Sequence, residues 1–391
     1  MSALRIALIR QRYNPYGGAE RFVANAMQAL QARGAEITIV TRKWQPQPGV
    51  QALVLNPFYV GSLWRDRGFS SAVCSALQQQ AFDLVQSHER IACCDVYRAG
   101  DGVHREWLAQ RRRVLSPFGR LRIALNPYHR YMVVAERRLF HNPRVRAIIC
   151  ISQMVKREIM QHYGVAEERL HVVYNGVDTQ AFHPRLKQEY ATRVRAEFDI
   201  PDDALVFLFV GSGFERKGIP ALLEVMSALP PHAHLLIVGR DKALKKYQRV
   251  GAGRGLSARV HFTGGQNDVK PFYGAADALA FPTLYEPFGN VVLEAMACGL
   301  PVITSTKAGG AEVIEDGVNG YVCDALDVPA LARAMQALCS RERCVAMGAA
   351  ARRTVEPYTF DAMSKRLIVL YESLLGTRQA TSEGGNQGRT I

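Results

Sequence analysis

Short apolar runs alternate with longer amphipathic segments along the chain, and the alternation occurs twice. In the first half we predict strands at 4–9, 36–41, 83–87, 147–152 and 171–174. In the second half we predict them at 205–210, 234–238, 259–263, 278–281, 302–304 and 321–323. An amphipathic segment at 19–33, ended by Gly34, predicts a helix between the first two strands. Helices alternating with short apolar strands favour parallel sheets covered on both faces.

A polar stretch near 175–201 separates the two series. We therefore expect an α/β fold of two doubly wound, Rossmann-like domains facing a cleft, with boundaries at 1–178 and 179–358. The segment 359–375 predicts a helix that is a candidate to pack back on the first domain. The glycine-bearing, polar stretch 376–391 predicts a disordered tail. In such folds, ligands bind beyond the carboxyl ends of the strands.

The stretch 285–294 holds two carboxylates eight positions apart. Glu286 is expected on the loop after a strand, and Glu294 one to two turns into the next helix. Between them, the start of that helix offers free N–H groups and a dipole that suit an anion. The residues there are Phe288, Gly289, Asn290 and Val291. The alternative is two solvated glutamates without a ligand.

Glycines follow the first predicted strand of each series. Gly17 and Gly18 would let the backbone approach a phosphate, although a simple strand–helix turn is equally compatible with them. In the second series the glycines are joined by Arg216 and Lys217, which could form charge-assisted hydrogen bonds with a diphosphate. A solvated basic loop is the alternative there. Neither loop has the G-x-G-x-x-G pattern, which disfavours a dinucleotide dehydrogenase.

Three stretches in order carry a resemblance: P-Y-G-G-A-E-R, then G-S-G-F-E-R-K-G, then E-P-F-G-N-V-V-L-E. Together they resemble the retaining GT-B glycosyltransferases of glycosyltransferase family 4, over nearly the whole chain. The resemblance implies that Gly17, Gly18, Arg216 and Lys217 hold the diphosphate of a nucleotide sugar. It implies that Glu294 binds ribose, Glu286 contacts the transferred hexose, and the amides around 288–291 face phosphate or sugar.

Three further stretches, 238–242, 262–269 and 95–103, resemble the lipopolysaccharide-core glucosyltransferases that act on heptose. Within the last of them, Asp101 matches a family acid near the donor sugar. Relatives also carry a histidine that touches the sugar. His88 and His104 are both candidates, and an ordinary cleft-edge histidine remains the alternative for each.

The net charge of +14 over 391 residues favours an anionic partner. Between 103 and 140 the chain carries nine arginines against two glutamates, interleaved with aromatic and aliphatic residues. This composition favours an anionic membrane surface over nucleic acid, since no nucleic-acid-binding motif is present. A solvated basic loop is the alternative. The candidate membrane-facing residues are Arg111, Arg112, Arg113, Arg120 and Arg122.

The eight cysteines form no C-x-x-C pair, so we expect reduced core thiols rather than a disulfide framework or a zinc site. The sequence has neither a signal-peptide layout nor an apolar run of about 20 residues, which favours a cytoplasmic protein with peripheral membrane contact.

The resemblance implies a retaining hexosyltransferase, with UDP-glucose as the expected donor, no metal and no other cofactor. The expected acceptor is lipid-linked, in the heptose region of the lipopolysaccharide core, on the cytoplasmic face of the inner membrane. A galactosyl- or mannosyltransferase of cell-envelope polysaccharide synthesis is the alternative enzyme. A non-catalytic protein binding anionic membrane or nucleic acid is the alternative of another class.

Overall fold

The chain divides into two compact units in the computed structural model, which describes residues 4–12, 31, 34–44 and 50–384, with side chains to 376. Unit 1 combines the chain up to Tyr174 with the segment from Phe360 onward, and unit 2 spans Asn175–Thr359. The first division falls within the polar stretch noted in the sequence, a few residues before the expected position at 178.

Unit 1 is built on a parallel seven-stranded sheet in the order β3-β2-β1-β4-β5-β6-β7. Chain connections lead outward in both directions from the junction of β1 and β4, which makes this junction the topological switch point. The strands are β1 (Arg5–Ile9), β2 (Glu36–Thr41), β3 (Gln51–Val54), β4 (Leu84–Ser87), β5 (Val96–Ala99), β6 (Ala147–Cys150) and β7 (Leu170–Val172).

Five helices of unit 1 lie between β3 and β7 in the chain. They are α1 (Gly61–Gln79), α2 (His104–Arg113), α3 (Pro117–Leu125), α4 (Pro127–Phe140) and α5 (Gln153–Tyr163), with a short 3₁₀ turn at Glu167–Arg169. Ser116, Asn126 and Ser152 cap α3, α4 and α5 by accepting hydrogen bonds from first-turn amides. The predicted helix at 19–33 lies outside the described residues, apart from residue 31.

Unit 2 repeats the doubly wound plan with six parallel strands in the order β10-β9-β8-β11-β12-β13. They are β8 (Leu205–Val210), β9 (Ala233–Val238), β10 (Val260–Gly264), β11 (Ala278–Phe281), β12 (Val302–Ser305) and β13 (Gly320–Cys323). Its helices are α6 (Leu186–Glu197), α7 (Ile219–Met226), α8 (Leu244–Gly253), α9 (Lys270–Ala275), α10 (Asn290–Ala297), α11 (Val328–Ala337) and α12 (Arg341–Val355), with a 3₁₀ turn at Gly309–Val313.

The last helix, α13 (Phe360–Gly384), belongs to unit 1 although it follows unit 2 in the chain. Its buried residues Met363, Leu367 and Tyr371 join one apolar cluster with Ile6 and Leu8 of β1. The Tyr371 hydroxyl also donates to the Gln86 side chain in β4. The buried side of α13 therefore packs against the first sheet.

Two sequence expectations are wrong. Cys74 of α1 and Cys93, on the loop after β4, form a disulfide with Cα atoms 5.7 Å apart, so not all eight cysteines are free thiols. They lie 19 positions apart, and only the packing of α1 beside that loop brings them together. The tail expected to be disordered at 376–391 is helical in its described part, since α13 continues through Gly384, and residues 385–391 lie outside the described residues.

Candidate active site

Two loops meet at the switch point of unit 2, where β8 and β11 lie side by side. One loop, 211–218, follows β8, and the other, 282–289, follows β11. Leu284 N donates to Arg216 O at 2.9 Å, which joins the two loops through their backbones. The carboxyl edge of a parallel sheet at its switch point is where doubly wound folds bind ligands.

The loop after β8 is held from both sides, which fixes Arg216 and Lys217. The buried ring of Phe214 anchors it, and Asp241 accepts a hydrogen bond from Phe214 N at 2.7 Å. Gly218 closes the loop in a left-handed conformation with φ of 87°. A Cβ at this position would lie 2.1 Å from Pro282 O, so only glycine allows the two loops to approach this closely.

Arg216, Lys217 and Glu286 form one ion cluster across the two loops. Glu286 Oε2 accepts from Arg216 Nη1 at 3.0 Å and lies 3.3 Å from Lys217 Nζ. Arg216 Nη1 also donates to Tyr285 O at 2.8 Å, and Lys217 Nζ lies 4.9 Å from the centre of the Phe281 ring. The cluster therefore presents two cations and one carboxylate at the end of the strands.

Burial and mutual charge act against each other in this cluster. Burial opposes ionisation of Glu286, but the charges of Lys217 and Arg216 outweigh it and hold the pKa of Glu286 below its ordinary value. Burial also lowers the pKa of Lys217, and Glu286 only partly offsets that effect. The carboxylate is thus ionised near neutral pH, and two charged donors remain beside it for an anionic ligand.

The segment from Glu286 to the start of α10 is shaped by hydrogen bonds with the loop after β12. Glu286 N donates to Lys307 O at 2.9 Å, and Gly309 N donates to Glu286 O at 2.9 Å. Gly289, with φ of 86°, then turns the chain into α10, which starts at Asn290. The side chain of Asn290 accepts from Asn175 at 2.7 Å. The amides of this first turn face the same edge as the ion cluster.

Glu294 lies within α10, and its hydrogen-bond partner differs from those of Glu286. Its Oε2 accepts a hydrogen bond from the hydroxyl of Tyr273 on α9 at 2.8 Å. Burial and the Glu294 charge raise the pKa of Tyr273 well above its ordinary value, so the phenol stays a donor. The bond fixes one carboxylate oxygen of Glu294.

The candidates in unit 1 follow strands β4 and β5, while Gly17 and Gly18 lie outside the described residues. Asp101 is half exposed, with its carboxylate 3.9 Å from Arg90. His88 is buried, and its Nε2 lies 2.9 Å from the Gln86 amide nitrogen. Burial and the charges of Arg98 and Arg10 lower the pKa of His88 well below its ordinary value, so its ring is neutral.

His104 begins α2 in a different setting. Its ring stacks on Trp107, and its Nε2 lies 3.1 Å from Nδ1 of His129 on α4. Burial and the charges of Arg90 and His129 lower the pKa of His104 to about 3. Its backbone amide donates to the fully buried Glu136 at 2.7 Å, and Glu136 also binds Arg90 at 2.8 Å. Both histidines are therefore neutral hydrogen-bonding groups near neutral pH.

The five arginines expected to face a membrane are exposed on α2 and α3. Beside them, Phe118, Leu121 and Leu125 of α3 are 77%, 54% and 66% exposed. Their spacing places these apolar side chains on one face of the helix. Along the described parts of the chain, no helix combines the length and the apolar character needed to cross a bilayer.

Three residues that support the site were not identified individually from the sequence: Tyr273, Asn175 and Asp241. Each binds a site residue 21 to 115 positions away in the sequence. Only the position of Asp241 could have been inferred from the sequence. It follows β9, and the carboxyl ends of neighbouring parallel strands lie at the same edge of a sheet.

Two family models match the chain, one on each unit. Residues 16–181 match Glycosyltransferase Family 4, and residues 191–354 match Glycosyl transferases group 1. The chain is therefore a GT-B glycosyltransferase, with a Glycosyltransferase Family 4 domain followed by a Glycosyl transferases group 1 domain. Its parallel sheets and the order of its loops agree with the resemblance stated from the motifs.

Individual proteins similar to this glycosyltransferase include two from lipopolysaccharide synthesis. Lipopolysaccharide glucosyltransferase WaaG of Escherichia coli K12 is 27% identical over 81% of this chain and 84% of WaaG. The crystal structure of WaaG superposes with a TM-score of 0.80 at 24% identity, covering 93% of this chain and 98% of WaaG. LpsE of Rhizobium meliloti, a lipopolysaccharide core biosynthesis glycosyltransferase, is 36% identical over 36% of this chain and 42% of LpsE.

The crystal structure of Anabaena HepE in complex with UDP-glucose has the same fold. It superposes with a TM-score of 0.73 at 20% identity, covering 95% of this chain and all of HepE.

Proposed function

We propose that this glycosyltransferase transfers glucose from UDP-glucose to a hydroxyl in the heptose region of a lipid-linked lipopolysaccharide core. The observation that carries the proposal is the cluster of Arg216, Lys217 and Glu286 at the switch point of unit 2. A diphosphate bound there would gain charge-assisted hydrogen bonds from both cations. The similarity to WaaG and to HepE in complex with UDP-glucose supports the choice of donor.

The transfer retains the anomeric configuration by attack on the same face as the leaving group. The bond between the sugar C1 and the phosphate oxygen breaks while the acceptor oxygen bonds to C1. The proton of the acceptor hydroxyl passes to the departing diphosphate. Arg216, Lys217 and the first-turn amides of α10 stabilise the charge that develops on that diphosphate.

The carboxylates bind substrate rather than transfer protons. Glu286, ionised beside two cations, accepts from hydroxyls of the hexose, and Glu294, oriented by Tyr273, accepts from the ribose. Gly17 and Gly18 of unit 1 hold the diphosphate, and Asp101 lies near the donor sugar. One of the neutral histidines, His88 or His104, contacts the sugar.

Transfer needs no metal ion, because Arg216 and Lys217 supply the positive charge that a metal would supply to the diphosphate. Turnover in excess chelator should equal turnover in added magnesium or manganese. A turnover that disappears with the chelator and returns with either metal would contradict this part of the proposal.

The enzyme acts at the cytoplasmic face of the inner membrane, held by the exposed arginines of α2 and α3 and the apolar face of α3. Vesicles containing anionic lipid should retain the protein. A variant with Arg111, Arg112 and Arg113 changed to glutamine should be retained less, and oligonucleotides should compete poorly.

The donor is tested with a panel of UDP-glucose, UDP-galactose and GDP-mannose, read by thermal shift and product mass. UDP-glucose should stabilise the protein most and should alone add a hexose to the acceptor. Preference for either of the others would favour the galactosyl or mannosyl alternative. Binding of membranes without transfer from any donor would favour the non-catalytic alternative.

A further inference from the structure

An open groove of about 550 Å³ runs between α1 and α4 of unit 1. Its walls are one face of each helix, at spacings of three and four residues. Leu63, Arg67, Ser70 and Ser71 line it from α1, and Arg130, Tyr131, Val134 and Arg138 line it from α4. The small Ser70 and Ser71 leave the space between the helices open.

The polar residues that line the groove are three arginines and three hydroxyl-bearing residues, all of which can donate hydrogen bonds. Three arginines, Arg67, Arg130 and Arg138, line it together with two serines and Tyr131. Burial and the charge of Asp66 raise the pKa of Tyr131, while Arg67 and Arg138 partly offset that rise. The phenol therefore remains protonated near neutral pH.

The acidic residues of the two helices are engaged elsewhere. Asp66, the acid of α1, binds Arg65 at 2.7 Å, Gln11 at 2.9 Å and Tyr128 at 3.1 Å. Glu136, the acid of α4, is fully buried against Arg90 and Tyr163. Within the described part of the chain, no ion pair joins Arg67, Arg130 or Arg138 to a carboxylate, so three like charges face one groove.

An apolar rim continues from the groove at the start of α1. Phe58, Val60 and Trp64 are 86%, 65% and 58% exposed. The segment that carries them is not loose, because Arg42 stacks on Tyr59 at 4.1 Å and binds the Asn56 side chain. A basic, donor-rich groove beside a fixed apolar rim matches an amphiphile with an anionic head.

We propose that this groove binds the headgroup phosphate of one anionic glycerophospholipid, with its acyl chains against the apolar rim. Arginine pairs with phosphate bidentately, and three arginines would neutralise the headgroup while relieving their own repulsion. The inference rests on the membrane location in the proposed function and adds a specific lipid site to it. It concerns neither the donor nor the acceptor.

The test is titration calorimetry of the full chain with short-chain phosphatidylglycerol below its micelle concentration. Short-chain phosphatidylcholine and inorganic phosphate serve as parallel ligands. We expect phosphatidylglycerol to bind about tenfold more tightly than either, since neither combines a net negative charge with an apolar tail.

Two variants and a matched control locate the binding. Arg67→Gln/Arg130→Gln/Arg138→Gln should weaken phosphatidylglycerol binding about tenfold or more. Arg333→Gln/Arg343→Gln/Arg353→Gln removes the same charge from exposed arginines of unit 2 and should leave binding unchanged. Ser71→Trp, which fills the groove without changing its charge, should weaken binding as the first variant does.

Equal weakening by both triple variants would reduce the effect to net charge and overturn the proposal. Binding of phosphatidylcholine or inorganic phosphate as tight as that of phosphatidylglycerol would also overturn it. The assay contains no sugar nucleotide, so its result is independent of glucosyl transfer measured in neutral detergent. Failure of glucosyl transfer would leave the proposed lipid site unaffected, and failure of lipid binding would leave the proposed transfer unaffected.

Discussion

Glu286 holds Arg216 and Lys217 together before any ligand arrives, since one of its oxygens contacts both cations. The cations are therefore positioned in advance, which is the condition under which fixed charges stabilise a leaving group most effectively. Their identity could be predicted from the sequence, because each motif contains its own charged residues. The contact between Arg216 and Glu286 could not be predicted, since the two residues lie 70 positions apart in the sequence.

Replacing Lys217 by methionine should lower kcat about 10²- to 10³-fold, because it removes one of the two charges that we propose stabilise the departing diphosphate. Methionine fills the place of the lysine stem beside Phe281 and keeps the packing. Lys245→Met, at an exposed position of α8, is the control and should behave as wild type. Wild-type turnover and donor affinity in the Lys217 variant would exclude the role assigned to this residue.

The ionised state of Glu286 should also make stability depend on pH. Its pKa is lower in the folded protein than the ordinary value of 4.5, so its ion pairs stabilise fully above that value. This contribution is lost as the pH falls through the folded pKa. The stability difference between wild type and Glu286→Gln should therefore be largest near neutral pH and shrink below pH 4.5.

Urea unfolding of the two proteins from pH 7 to pH 3, a range chosen to bracket the ordinary carboxyl pKa of about 4, measures that difference. Glu224→Gln, at an exposed position of α7, serves as the control and should show no such trend. A difference that stays constant, or grows, toward acid pH would show that Glu286 is not the stabilising carboxylate described above.

Strands with an uninterrupted apolar run were more predictable than a strand interrupted by a charged residue. β8 and β11 are wholly buried, and their predicted bounds agree with the structure. The buried Arg98 interrupts the apolar run of β5, and β3 has no fully buried position although residues 52–55 are apolar. Both were missed, although β5 places Asp101 at the strand ends. Apolar patterning alone does not detect a strand whose charge is accommodated by tertiary contacts.

The loop after β8 depends on the conformation of a single glycine. Gly218→Ala should reduce both stability and donor affinity, because the added Cβ meets Pro282 O at 2.1 Å and separates the two site loops. Gly255 has a similar φ of 71° but open space around its Cβ position. Gly255→Ala should therefore lower the free energy of unfolding by only about 1 kcal/mol, because alanine disfavours a left-handed backbone. Its donor affinity should be unchanged.

Thermal unfolding and donor titration of the two glycine variants distinguish backbone strain at a positive φ from displacement of the two site loops. Equal losses of donor affinity in both would mean that the contact between Gly218 and Pro282 does not hold the site. An unchanged donor affinity in Gly218→Ala would have the same meaning.

Unit 1 is assembled from both ends of the chain, so its stability depends on the C-terminal helix α13. Deleting residues 360–391 should destabilise unit 1 selectively, because it uncovers Ile6, Leu8 and the rest of the cluster that α13 buries. Unit 2 contains none of these contacts. Hydrogen exchange of the truncated protein should show lost protection in β1 and β4 and retained protection in β8 and β11.

Removal of residues 385–391 alone is the control, since it leaves the described length of α13 intact, and it should not change exchange in either unit. Uniform loss of protection across both units after the larger deletion would contradict the assignment of α13 to unit 1 alone.

The central claim is that the cluster at the switch point of unit 2 supports glucosyl transfer from UDP-glucose. The most direct measurement is transfer of labelled glucose from UDP-glucose to a core lipopolysaccharide that ends in heptose, with the anomeric configuration of the product read by NMR. We predict one added glucose with retained configuration, transferred about 10²- to 10³-fold more slowly by Lys217→Met and at the wild-type rate by Lys245→Met. Absence of transfer from UDP-glucose, or an inverted product, would contradict the account.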